Sequence, residues 1–194
     1  MPVEKILQDV RAAEARLHTA IKARADALHY TIEDKRIRFD EAVKRYHKTL
    51  REGRWAYIVR AGLLPVLGAP FIYAMIVPLV LLDIALTIYQ AATGFFYGIR
   101  SERRSDYITI DRQYLGYLNT FQKLNCVYCG YANGLLAWGR AIAGRTEEHF
   151  CPIKHARRTR GQHEGYWEFA DYGDAEAWLK RREALSVRTK RRTK

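Results

Sequence analysis

Hydrophobic positions recur at three- and four-residue steps from the start of the chain. Val3, Leu7, Val10, Ala13, Leu17 and Ile21 fall on one stripe, which predicts an amphipathic helix over residues 3–27. The period then shortens. In HYTIEDKRIRF, Tyr30 and Ile32 stand on one side of EDKR and Ile37 and Phe39 on the other, the pattern of a β-hairpin over 29–39, with continuous helix as the alternative. Asp40 is placed to cap a following helix, EAVKRYHKTLREGRWAYIV, which shows Val43, Tyr46 and Leu50 on one face and runs straight into the next segment. A coiled coil is disfavoured, because Arg24 and Lys35 interrupt the seam.

From Ala61 to Ile99 the periodicity disappears into 39 residues with a single formal charge, Asp83. That is well beyond the ~20 apolar residues of one spanning helix, and a chain of this size has too little core to hide it. The expected class is a mainly α membrane protein, with a helical membrane hairpin or re-entrant segment over 55–99 and a small helical cytoplasmic domain. PVLGAP suggests a break near 65–70, with a first arm from Trp55 to Leu67, too short to cross, and a second from Pro70 to Gly98. Lys44, Arg45, Lys48, Arg51, Arg54 and Arg60 precede the segment and Arg100, Arg103 and Arg104 follow it, which puts both ends on the cytoplasmic side. Asp83 at membrane depth either pairs, faces a cavity, marks a pathway, or sits among head groups at the hairpin tip.

Beyond the membrane segment, SDYITI reads as a short strand, and Tyr114, Leu115, Leu118 and Phe121 take helical spacing. Near the end, Asp174 can cap a short helix through Ala184. The organisation expected is therefore 1–54 cytoplasmic helices with the hairpin, 55–99 membrane segment, 100–172 a Cys/His domain, and 173–194 a short helix with a basic tail.

Charge adds a partner. Lys plus Arg outnumber Asp plus Glu by 33 to 21, for a net +12, so the chain meets an anionic surface. The last nineteen residues hold eight Lys or Arg against two Glu. Beside a membrane segment, such a tail reads as contact with anionic lipid head groups more economically than with nucleic acid. KHARRTRGQH, residues 154–163, extends the same basic surface. The opening MPVEKILQDVRAAEARLH is charged throughout, which predicts a cytoplasmic start rather than a secretory leader.

Three cysteines, two of them in NCVYCGYANG, fit metal or redox chemistry in a reducing compartment better than a disulfide framework. Cys126 and Cys129 can converge on one ion, and Cys151 and His155 in CPIKH supply a second pair, making a Cys3His set suited to structural zinc and accessible to iron. Closure requires a helix over about 132–143 that ends early, eased by Gly134, Gly139 and Gly144, so that residues 144–151 can bring Cys151 back. A helix running on through RTEEHF strands Cys151. His149 is an alternative ligand on an extended chain. Two other readings stand beside the metal: a Cys126–Cys129 dithiol at a helix N-terminus, and cysteines that merely pack. His18, His29, His47 and His163 lie in polar surroundings and are expected at the surface.

No catalytic triad, phosphate loop or carboxylate pair is present, so the pattern gives no support to an enzyme. PFIYAMIVPLVLLDIALTIYQ, LNCVYCGYANG and CPIKHARR resemble a family of uncharacterised proteobacterial membrane proteins over most of residues 28–180. That resemblance implies a bacterial inner membrane and carries no activity. The functional expectations are a membrane-anchored zinc-binding protein, a membrane-bound thiol-disulfide or iron redox protein, or a non-catalytic adaptor without metal. In the last, residues 3–27 bind a protein partner or a second copy.

Overall fold

The computed structural model describes residues 2–28, 30–33, 36–157 and 159–192, and the chain is mainly helical. In order it forms α1 (Pro2–Ala27), β1 (Tyr30–Glu33), β2 (Arg36–Phe39), α2 (Glu41–Thr49), α3 (Arg54–Ala61), α4 (Leu63–Ala74), α5 (Ile76–Tyr97), α6 (Arg104–Tyr107), α7 (Thr120–Phe150) and α8 (Ala175–Arg192). Single 3-10 turns sit at Arg112–Tyr114 and Glu164–Glu168. Two compact units emerge: 1–62 with 111–127, and 63–110 with 128–194.

The first unit carries the expected amphipathic helix and the expected hairpin, whose antiparallel register pairs Tyr30 with Phe39 and Ile32 with Ile37. Asp40 stands at the start of α2 without a side-chain cap bond, and α2 ends at Thr49 rather than running on. An extended Gly53 (ψ 144°) opens α3 afresh. His47 is half-buried, its ring edge-on to Phe39 and Tyr117, and a side chain at Gly116 would meet its Cβ. Tyr57 stacks on Phe121 at 6.4 Å. Along the α1 stripe, Val10, Leu17 and Ile21 are about half exposed or more and Leu7 is half-buried, so most of the stripe is uncovered among the described residues.

The second unit holds the buried apolar core: Leu79, Leu135, Trp138 and Ile142, with Leu86, Tyr107, Ile108, Tyr128, Tyr131 and Ala132 packed around them. A smaller cluster of Tyr166 and Phe169 lies on His163, whose side chain is 12% exposed and hydrogen bonded to Glu147, not at the surface as its polar neighbours suggested. His29 falls outside the described residues. Asp174 caps α8, its Oδ1 accepting from the Ala177 N–H at 2.9 Å. The lipid contact expected of the basic tail rests on side chains outside the described residues.

Within this unit Leu63–Tyr97 is a helical run of 35 residues with a mean hydropathy of 2.4, and 6% of its most apolar stretch is buried. It is long and apolar enough to cross a membrane. Its break is not at 65–70. Pro65 falls in the first turn, where a missing N–H breaks no helical bond, and Pro70 is accommodated inside α4. The interruption comes at Met75, three residues before Pro78, which has no N–H to offer the Ala74 carbonyl; a tighter turn runs there from Met75 N to Ile72 O. Met75 keeps helical angles, so no hairpin turn divides the run. The chain leaves α5 through Gly98 at φ +64°, with Gly98 N bonded to Gly94 O and Ile99 N to Thr93 O, a left-handed helix end that favours glycine.

Candidate functional site

The chemistry-bearing residues were expected to gather around α7, so where that helix begins decides the matter. Asn119 starts it. Its Oδ1 accepts from the Gln122 N–H at 3.0 Å, and Gln122 Oε1 accepts from the Asn119 N–H at 2.9 Å, a reciprocal cap written in the sequence as NTFQ. The helix then runs 31 residues, about 46 Å, with no interruption through RTEEHF.

Cys126 and Cys129 therefore lie inside a helix, three residues apart, not at its start. Cys151 follows its far end, exposed, about 33 Å along the axis from Cys129. His155 is exposed beyond it, stacked on Tyr166 at 6.0 Å, and His149 packs edge-on to Tyr97 and Phe150. The Cys3His set is thus not brought together. Among the described residues no group of three or more His, Cys, Asp or Glu is placed to hold a metal.

The glycines that suggested an early end are contact points instead. A Cβ at Gly134 would lie 2.6 Å from the Tyr107 carbonyl oxygen and 2.8 Å from Ile108 Cα. One at Gly144 would strike the His163 ring, and one at Gly139 would come 3.0 Å from Leu86. The helix pays a small propensity cost for these approaches and does not break.

What the fold does assemble is a polar seam along α5. Leu79, Asp83, Leu86, Gln90 and Thr93 recur at helical spacing and are the least exposed positions of that helix. Asp83 accepts two bonds from Arg104, at 3.1 Å from Nε and 2.6 Å from Nη2, and a third from the Tyr131 hydroxyl at 2.9 Å. The carboxylate is paired within the fold, so of the alternatives for Asp83 the paired one applies, and the hairpin tip does not exist. Gln90 Oε1 accepts from the Glu102 N–H at 2.8 Å, and Thr93 donates to the Tyr89 carbonyl at 2.9 Å.

Glu102 anchors a second knot. Tyr107 donates to its Oε2 at 2.9 Å, Arg145 to its Oε1, and its carbonyl accepts from Trp138 Nε1 at 3.0 Å. Burial works against the Glu102 carboxylate, but the bonds from Arg145 and Tyr107 outweigh it and hold its pKa below the ordinary glutamate range. Burial, reinforced by the bond to Glu102, pushes the Tyr107 hydroxyl up to about 12. Both knots are satisfied and closed. No family model, curated protein or solved structure matches the chain.

Proposed function

We propose that the protein is a membrane-anchored, non-catalytic adaptor whose lipid contact is the Leu63–Tyr97 helix. The observation that carries this reading is the inverted polarity of α5. Its inner stripe holds Asp83, Gln90 and Thr93, while Val77, Leu81, Ile84, Ile88 and Phe95 on the opposite face are each more than half exposed. In water this arrangement is backwards, because an exposed apolar face of that length forfeits its hydrophobic stabilisation; in hydrocarbon it is favourable. The hydroxyls of Thr87 and Thr93 along it are satisfied by carbonyls of their own helix, as lipid requires.

The adaptor half of the reading rests on α1, whose uncovered stripe suits a protein partner or a second copy. The flanking positive charges favour a bacterial inner membrane with both flanks in the cytoplasm. Membrane fractions washed at alkaline pH test the anchor: the full chain should stay with lipid, and recovery in the supernatant would sink it. Deleting residues 1–27 should abolish self-association or partner capture while leaving the chain in the membrane. Reporter fusions at residues 30 and 190 should both report the cytoplasm.

A further inference from the structure

The geometry points to a specific mode of attachment: α5 lies along one leaflet of the bilayer, its apolar face in the acyl chains, instead of crossing it. This rests on the membrane reading above and goes beyond it. Four pairs, one on α4 and three on α5, fix how α7 runs against the Leu63–Tyr97 run. Tyr73 meets Tyr128, Asp83 meets Tyr131, Tyr89 donates to Thr146, and Tyr97 packs on Phe150. The residue numbers rise together, so α7 runs in the same direction as the apolar run from Tyr73 to Tyr97, about 36 Å along its axis.

Parallel neighbours need a return, and residues 99–110 supply it. Glu102 is level with Gln90, Arg104 with Asp83, and Tyr107 and Ile108 with Gly134. Every level of α5 from Tyr97 back to Asp83 is therefore accompanied by charged groups. Several of these are exposed, namely Arg103, Asp106 and, on α7, Arg140, which donates to the Gly161 carbonyl. A spanning α5 would carry them through the hydrocarbon with lipid around them, which membrane proteins avoid. With α5 in the plane of the membrane, its apolar face meets acyl chains, while the return segment and α7 form a polar roof toward water. Both ends of α5 are then on one side without any turn in the far leaflet, consistent with the charge pattern on its flanks.

Single cysteines placed in a Cys126→Ser, Cys129→Ser, Cys151→Ser chain, spin labelled and reconstituted into vesicles with a phosphatidylglycerol fraction, read the depth directly. Labels at Val77, Leu81, Ile84, Ile88 and Phe95 should show oxygen accessibility at one nearly constant depth within a leaflet. Labels at Arg103 and Arg140 should be accessible to a water-soluble relaxation agent. A depth that passes through the bilayer midplane between Val77 and Phe95, with one end of α5 on each side, overturns the one-leaflet assignment and leaves the anchor standing. Absence of any oxygen enrichment at all five sites overturns both. Circular dichroism of each labelled chain, unchanged from the parent, confirms that the fold is the one being read.

Discussion

Helices α5 and α7 lie side by side and solve the same packing problem for opposite surroundings. On α7, Leu135, Trp138 and Ile142 turn inward while Asn133 and Arg140 stay out beside an exposed Leu136, a more mixed outer face. On α5, Asp83 and Gln90 turn inward and Leu81, Ile84, Ile88 and Phe95 stay out. The shared interface is part apolar and part hydrogen bonded, so each helix offers the other what its outer face does not. Hydrophobicity alone would class α5 as a span; only the partner beside it shows which of its faces is left exposed.

Breaking the outer face of α5 has the largest expected effect. Leu81→Lys with Ile88→Lys should cost about 2 kcal/mol per site in lipid, together on the order of a thousandfold in vesicle partitioning. If the face belongs in water, flotation with vesicles will be unchanged. Breaking the inner contact comes next. Gly134→Val forces a side chain into the Tyr107 and Ile108 backbone and should destabilise the second unit by about 1–3 kcal/mol in detergent. Gly68→Ala on α4, with nothing within 4 Å, should instead stabilise slightly.

The polar seam should be worth somewhat less. Asp83→Asn leaves the half-exposed Arg104 without its carboxylate, an expected loss of about 1–2 kcal/mol in unfolding free energy, and coupling in a double-mutant cycle with Arg104→Gln sharpens the assignment. Asn119→Ala removes one half of the reciprocal cap and should cost about 1 kcal/mol, read as fraying of the first turn of α7 by hydrogen exchange. Smallest is a pH effect. Because the Glu102 carboxylate is held below its unfolded pKa, its contribution is present above the ordinary glutamate range and is lost as pH falls below about 4. Glu102→Gln should flatten the acid limb of the stability profile; an unaltered limb would remove Glu102 from the account.

The elements with clean periodicity were legible from residues alone. The α1 stripe, the hairpin about EDKR, the apolar run and the Asp174 cap all follow from local spacing, and the structure places each there. Reading failed where a residue type has two uses. Glycines at 134, 139 and 144 serve as breakers in isolation and as contact points once a neighbour is present, and the neighbour is supplied from residues 86, 107 and 163. The same ambiguity moved the predicted break to PVLGAP, although Pro78 exerts the stronger effect one turn earlier. NTFQ was a readable signal for the start of α7 and, taken seriously, would have put Cys126 and Cys129 inside the helix. The partner of Asp83, in contrast, has no local signature, since Arg104 is one of several arginines after the segment.

The parallel course of α5 and α7 also sets an order in time. During synthesis the whole of Leu63–Tyr97 emerges before the helix that covers its polar stripe, whose last contacts, at Thr146 and Phe150, are made some fifty residues later. At about 5–20 residues per second the nascent chain spends several seconds with Asp83 lacking its Tyr131 partner beside an apolar face that is already complete. Chains truncated near residue 110 should therefore already associate with vesicles, before α7 exists. On the proposed attachment, a lipid surface would be the first partner this helix meets, with α7 added to it afterwards.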